Sequence, residues 1–136
     1  MNVKLAVLAD YAATTQDGKL IICGVFEKLQ LPTLPFQYPR IYVALRVSAH
    51  PSERKKHTLA IRIVDPDGAS IFPDLRADLE LGPAVKNETR TLQLVLDLAG
   101  LKFETAGGHS VDILLDDRYE DSAPFAVEIA PQPGTK

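Results

Sequence analysis

Apolar side chains recur at every second position along most of this chain, and that spacing decides its fold class. Ile41, Val43, Leu45 and Val47 share one parity, as do Leu59, Ile61 and Ile63; Leu92, Leu94, Leu96 and Leu98; Val111, Ile113 and Leu115; and Phe125, Val127 and Ile129. Their immediate neighbours are mostly polar or small, among them Arg46, Ser48, Arg62, Gln93, Asp97, Ser110, Asp112 and Glu128. A strand sends successive side chains to opposite faces, so this pattern describes strands with one face on a core and one in water. No window of helical spacing is long enough to predict a helix.

The alternation predicts eight strands, at 3–13, 19–28, 40–48, 57–65, 69–81, 90–98, 109–116 and 123–130. Turn chemistry separates them. Gln16-Asp17-Gly18-Lys19 carries the Asp-Gly pair of tight hairpins, and Asp65-Pro66-Asp67-Gly68 presets a turn with proline and closes it with glycine. Pro73 interrupts the fifth segment, which predicts a kink there. The longer links are Gln30–Pro39, Ala49–Lys56, Gly82–Thr89 and Gly100–Gly108. Many short strands with regular turns argue for an all-β antiparallel sandwich, immunoglobulin-like or related, as one domain over 1–130 with a frayed tail over 131–136. A chain of 136 residues buries enough surface for a single core without staples.

The first two strands break the one-sided rule. Val3–Ala9 and Leu20–Phe26 hold almost nothing to aim at water. An unbroken apolar run means that both faces are covered. The cover is the rest of the fold with the proline-rich 30–39 segment, a second copy of the chain, or another protein. If the cover is a partner, the contact surface is one parity of two adjacent strands: Lys4, Ala6 and Leu8 with Ile21, Cys23 and Val25.

Chemistry is sparse. The formal net charge of −3 gives no clustered positive footprint for nucleic acid. The one cysteine, Cys23, makes no internal disulfide and lies in an apolar run, where it acts as a small hydrophobe. The apolar start is too short, and too poor in basic residues, for a secretory signal. No stretch is long enough to span a bilayer, so a cytoplasmic setting is expected. His50 and His57 flank one loop, but His109 falls at the opposite end of alternating strands, so three zinc ligands do not converge. Asp116, Asp117, Glu120 and Asp121 crowd one turn and offer weak candidates for calcium, chiefly Asp116, Asp117 and Asp121. The Asp65–Asp67 turn lies at the other end and adds no ligands. Arg54-Lys55-Lys56-His57 reads as a solvated hairpin tip, and Gln30–Pro39 as a connection packed across the open end of the sandwich. No nucleophile stands beside a base, and no cofactor motif is present.

Two resemblances add to this. Leu98–Ile113 resembles the closing hairpin entry of immunoglobulin-like sandwiches, with His109 where tyrosine is more usual. Leu8-Ala9-Asp10-Tyr11-Ala12, Asp17-Gly18-Lys19-Leu20, Gly24-Val25-Phe26, Leu34-Pro35-Phe36 and Pro39-Arg40-Ile41-Tyr42 resemble an uncharacterised family of small bacterial β-sandwich proteins. That resemblance implies a fold and a bacterial cytoplasmic setting, and it carries no activity. The expectation is a non-enzymatic structural or protein-interaction module that self-associates, as a homodimer, through its first two strands. A calcium- or small-ligand-binding sandwich using the Asp116–Asp121 loop is the alternative.

Overall fold

The computed structural model describes residues 1–51, 56–81 and 88–131. The regular elements among them are all strands: β1 (Asn2–Thr14), β2 (Leu20–Phe26), β3 (Lys28–Leu31), β4 (Phe36–Ala49), β5 (Lys56–Val64), β6 (Leu75–Glu80), β7 (Arg90–Phe103), β8 (Gly107–Leu115) and β9 (Arg118–Ile129). No helix there is long and apolar enough to cross a membrane. The 132–136 part of the expected tail, Arg54 and Lys55 of the basic run, and most of the Gly82–Thr89 link lie outside the described residues.

The strands form a four-stranded sheet in the order β2-β1-β4-β7 and a five-stranded sheet in the order β3-β9-β8-β5-β6. The alternating residues do what their spacing predicts. Ile41, Val43, Leu45 and Val47 pair with Leu98, Leu96, Leu94 and Leu92 in the first sheet. Leu59, Ile61 and Ile63 pair with Leu115, Ile113 and Val111 in the second. These inward rows belong to one apolar cluster that both sheets share.

Three expectations need correction. The second sheet is not wholly antiparallel, because β3 runs parallel to β9. That strand straddles the end of the predicted 19–28 strand and the start of the segment read as a link from Gln30. It has only four residues, with Leu29 and Leu31 buried and Lys28 and Gln30 exposed, too short a run to register as alternation. The predicted fifth strand is cut down to Leu75–Glu80. Ser70 still bridges Val64 after the Asp65–Gly68 turn, but Pro73 lacks the N–H that would continue the ladder. Finally, β4 begins at Phe36 and β7 runs on to Phe103, which shortens two of the expected links. Pro39 is tolerated inside β4 because β1 pairs with that strand only as far as Tyr42, leaving the proline on an open edge.

The Pro-rich segment covers the core as expected, with Leu34, Phe36 and Tyr38 packed against the apolar cluster. At the same end His109 is buried among aromatic rings, 5.4 Å from Phe103 and 5.5 Å from Phe125 by ring centroid. Its Nδ1–H donates to the Gly107 carbonyl at 3.0 Å. A histidine held this way is a core side chain.

Candidate functional site

The β1–β2 hairpin is set by its turn. Thr15 N–H donates to the Lys19 carbonyl at 2.8 Å, and Gly18, at φ +83°, supplies the left-handed residue that closes the loop. Inside it the Thr15 hydroxyl donates to Asp17, and Lys19 pairs with Asp17 at 3.0 Å. The hydroxyl, then the ammonium, hold the Asp17 carboxyl below the usual carboxylate range. This loop is longer than the two-residue turn that Asp-Gly suggests. A two-residue turn centred on Asp17 and Gly18 would set Ala12 opposite Cys23, whereas the observed register sets Tyr11 there.

One residue of slip exchanges the faces of a strand, and that decides which side chains are free. On β2 the expected residues Ile21, Cys23 and Val25 are exposed, Ile21 at 44% and Val25 at 56%. On β1 the expected parity is inverted. Leu8 is 2% exposed and lies in the core, paired with Val43 and Phe26. Ala6 is half-buried against the same cluster, and Lys4 is exposed at a bulge. Tyr11, 49% exposed, stands on the face where alternation had placed the even-numbered residues. Its ring stands edge-on to Tyr42, with centroids 5.3 Å apart.

The apolar run on both faces is thus answered in part by the chain itself. Leu8 and Phe26 face the core, while on the other face Ala9 is fully buried. Gly24, at φ +73°, bends β2 opposite Asp10; a Cβ built there would lie 2.6 Å from the Asp10 carboxylate. The hairpin tip folds back far enough for the Gln93 side-chain amide on β7 to donate to the Gly18 carbonyl. What stays open is β2 itself. Among the described residues it has a neighbour on one side only, and Leu20–Phe26 contains no charge and no proline.

The acidic turn is a different construction. Asp116 and Asp117, at φ +53° and +63°, form a two-residue hairpin between β8 and β9, so Tyr119, Glu120 and Asp121 belong to β9 rather than to a connection. The three metal candidates are engaged separately. Asp116 accepts from His57 Nδ1 at 2.7 Å and from the Thr58 amide at 3.0 Å. Asp117 pairs with Arg76 at 3.3 Å, and Asp121 accepts from the Ser122 amide at 2.8 Å. Among the described residues no three His, Cys, Asp or Glu side chains gather as a metal site. His57 and Asp116 border a polar cleft of about 570 Å³ with Lys56, Asp78 and Glu80. The His57 side chain is only 4% exposed, however, and the pair pins the β8–β9 turn to the start of β5. His50 lies in the other sheet's neighbourhood, after β4, and does not join it.

A family model described as a family of unknown function (DUF6941) matches residues 4–128. No curated protein matches. Among solved structures, a β-glucosidase from Listeria innocua in complex with glucose is similar at TM-score 0.50 and 10% identity, over 91% of this chain and 16% of that one. An alkylpurine DNA glycosylase, AlkC, from Pseudomonas fluorescens, bound to DNA containing an abasic site analog, gives 0.41 and 12%, over 90% of this chain and 30% of that one. This chain therefore spans a small part of each, and at such identity the likeness to the first is one of fold alone.

Proposed function

The chain belongs to the family of unknown function DUF6941, and we propose that it acts as a non-enzymatic protein-interaction module that self-associates through the edge of β2. The observation that carries this reading is the open apolar edge. Natural sheets guard their edges with charges, prolines or very short strands, because an unpaired row of N–H and C=O groups invites another strand. Leu20–Phe26 has none of these guards and leaves Ile21 and Val25 about half in water. A second copy is the partner that fits best. Two β2 strands pair antiparallel about a two-fold axis, and each presents the same apolar residues to the other.

We read the two sheets as immunoglobulin-like. In support, β1-β4-β7 and β5-β8-β9 follow the order that such domains use for their A-B-E and C-F-G strands, with β2 as an added edge. The proposal includes a reducing, cytoplasmic setting, where the exposed thiol of Cys23 persists. It assigns His57 and Asp116 to turn stability rather than to acid–base chemistry.

Cys23 is the midpoint of β2, so the two-fold pairing sets it opposite its own copy. Residues opposite each other in antiparallel pairs have Cα atoms about 4.5–5.5 Å apart, within the reach of a disulfide. Mild oxidation is expected to yield a reducible dimer that Cys23→Ser abolishes. A chain that stays monomeric at high concentration, or whose Cys23 titrates as a free thiol yet never cross-links, overturns the reading.

A further inference from the structure

On the four-stranded sheet, the face away from the core carries a second feature. Asn2 pairs with Ser48, Ser48 with Thr91, and Arg46 with Gln93, so these side chains form rows across three strands. His50, just after β4, and Thr89, just before β7, follow two residues beyond Ser48 and Thr91. Between Val3 and Leu5 the β1 ladder slips by one residue, and the extra residue is Lys4. Strict alternation from Ala6 and Leu8 would send Lys4 toward the core, but a bulge re-aims a side chain, and this one turns it to the outer face. The result is a pocket of about 330 Å³ that brings Lys4, Arg46 and His50 together with the hydroxyls of Ser48, Thr89 and Thr91. Asn2 completes the wall, and no carboxylate is among the described residues that line it.

The charge pattern makes the pocket unusual for this molecule. The chain is net negative, and Lys19, Lys28, Arg40, Arg62, Arg76 and Lys102 each pair with a carboxylate. Lys4 and Arg46 pair with none among the described residues. Arg46 is steadied by Gln93, whose Oε1 accepts one guanidinium N–H at 3.3 Å, and the Gln93 amide is itself tied to Gly18 at the hairpin tip. Among the described residues the guanidinium is therefore oriented but not neutralised. A fixed guanidinium fork beside an ammonium suits a tetrahedral oxyanion, and neighbouring hydroxyl and amide groups suit a hydroxylated body. The volume lies at the lower end of small-ligand sites, about 300–1,000 Å³, and exceeds what a lone phosphate fills.

We infer that this pocket binds a small phosphate monoester, with the phosphate on Lys4 and Arg46 and the hydroxylated remainder along Asn2, Ser48, Thr89 and Thr91. The site lies apart from the β2 edge, and the inference stands whether or not the chain dimerises. Calorimetric titration with ribose 5-phosphate, inorganic phosphate and ribose tests it. Ribose 5-phosphate is expected to bind at least about tenfold tighter than inorganic phosphate, and ribose not to bind, because the charge pair anchors the ligand. Lys4→Gln and Arg46→Gln should each weaken the ester at least about tenfold, whereas Lys4→Arg keeps it and Lys28→Gln, on the other sheet, changes nothing. Thermal melts of the same variants confirm that they remain folded. Absence of binding by the ester, equal binding of the ester and the free anion, or binding unaltered in folded Lys4→Gln and Arg46→Gln would each overturn the assignment.

Discussion

Replacing Val25 by lysine probes the β2 edge where it is most exposed. Full burial of a valine side chain is worth about 1.5–3 kcal/mol, and Val25 already hides close to half of its surface in the single chain. Pairing thus gains about 1 kcal/mol from it per protomer, and an ammonium in its place adds a desolvation cost of similar size. The two-fold axis counts each change twice. The dimer should lose about 2–4 kcal/mol, which raises its dissociation constant about 30- to 1,000-fold. The folded chain should hardly notice, since β-propensities span about 1 kcal/mol and the side chain faces water. Sedimentation equilibrium over a concentration series reads the first quantity, and urea denaturation at a dilution where both proteins are monomeric reads the second. A variant that is folded and dimerises as tightly as its parent refutes the edge. A variant that unfolds shows instead that the residue belongs to the fold.

Gly24→Ala should destabilise the chain by about 2 kcal/mol: a left-handed non-glycine residue costs about 1–2 kcal/mol, and the new Cβ would collide with the Asp10 carboxylate at 2.6 Å. The carboxylate part of the collision should be relieved in an Asp10→Ala background, which leaves only the residue-10 Cβ at 3.1 Å, so fully additive losses in urea denaturation would contradict the contact. His57→Ala should cost about 2–4 kcal/mol, because it opens a void and strips the buried side of Asp116 of its imidazole donor. Hydrogen exchange at the Thr58 and Asp116 amides should accelerate with it; a loss under about 0.5 kcal/mol would show that the pair is not a latch.

Period two carried most of the fold. It placed the inward rows of β4, β5, β7 and β8 correctly, with Phe125 and Val127 of β9, because each of those strands has one face on the shared core and loses its pattern if it slips; Ile129, expected inward, is instead 54% exposed at the end of β9. It missed β3, whose four residues are too few to show a period, and whose parallel partner lies almost a hundred residues away, at Ala126–Ile129. Pro73 announced the break before β6, but not that only Ser70 would bridge on its near side. Edge position was beyond reach for a different reason. Nothing in Leu20–Phe26 says that β1 pairs with β4 on its far side; that follows from the order of the whole sheet.

Both misplacements in the first hairpin come from a single inserted residue. The sequence reads Asp17-Gly18 as a two-residue turn, and on that register the even residues of β1 share a face with Ile21, Cys23 and Val25. The actual Thr15–Lys19 loop shifts the pairing by one, sends Leu8 into the core and brings Tyr11 out. The bulge at Lys4 then acts in the opposite sense, removing a charge from the core-facing row in which strict alternation would have left it. A lysine buried beside Leu45 and Val47 would have been costly without a partner. That cost is the physical signal that could have exposed the bulge: an inward-parity lysine in an otherwise apolar row requires either a counter-charge or a break in the ladder. The chain uses the break, and the residue it releases stands beside Arg46, where two cations without a carboxylate partner among the described residues are most readily compensated by an anion from solution.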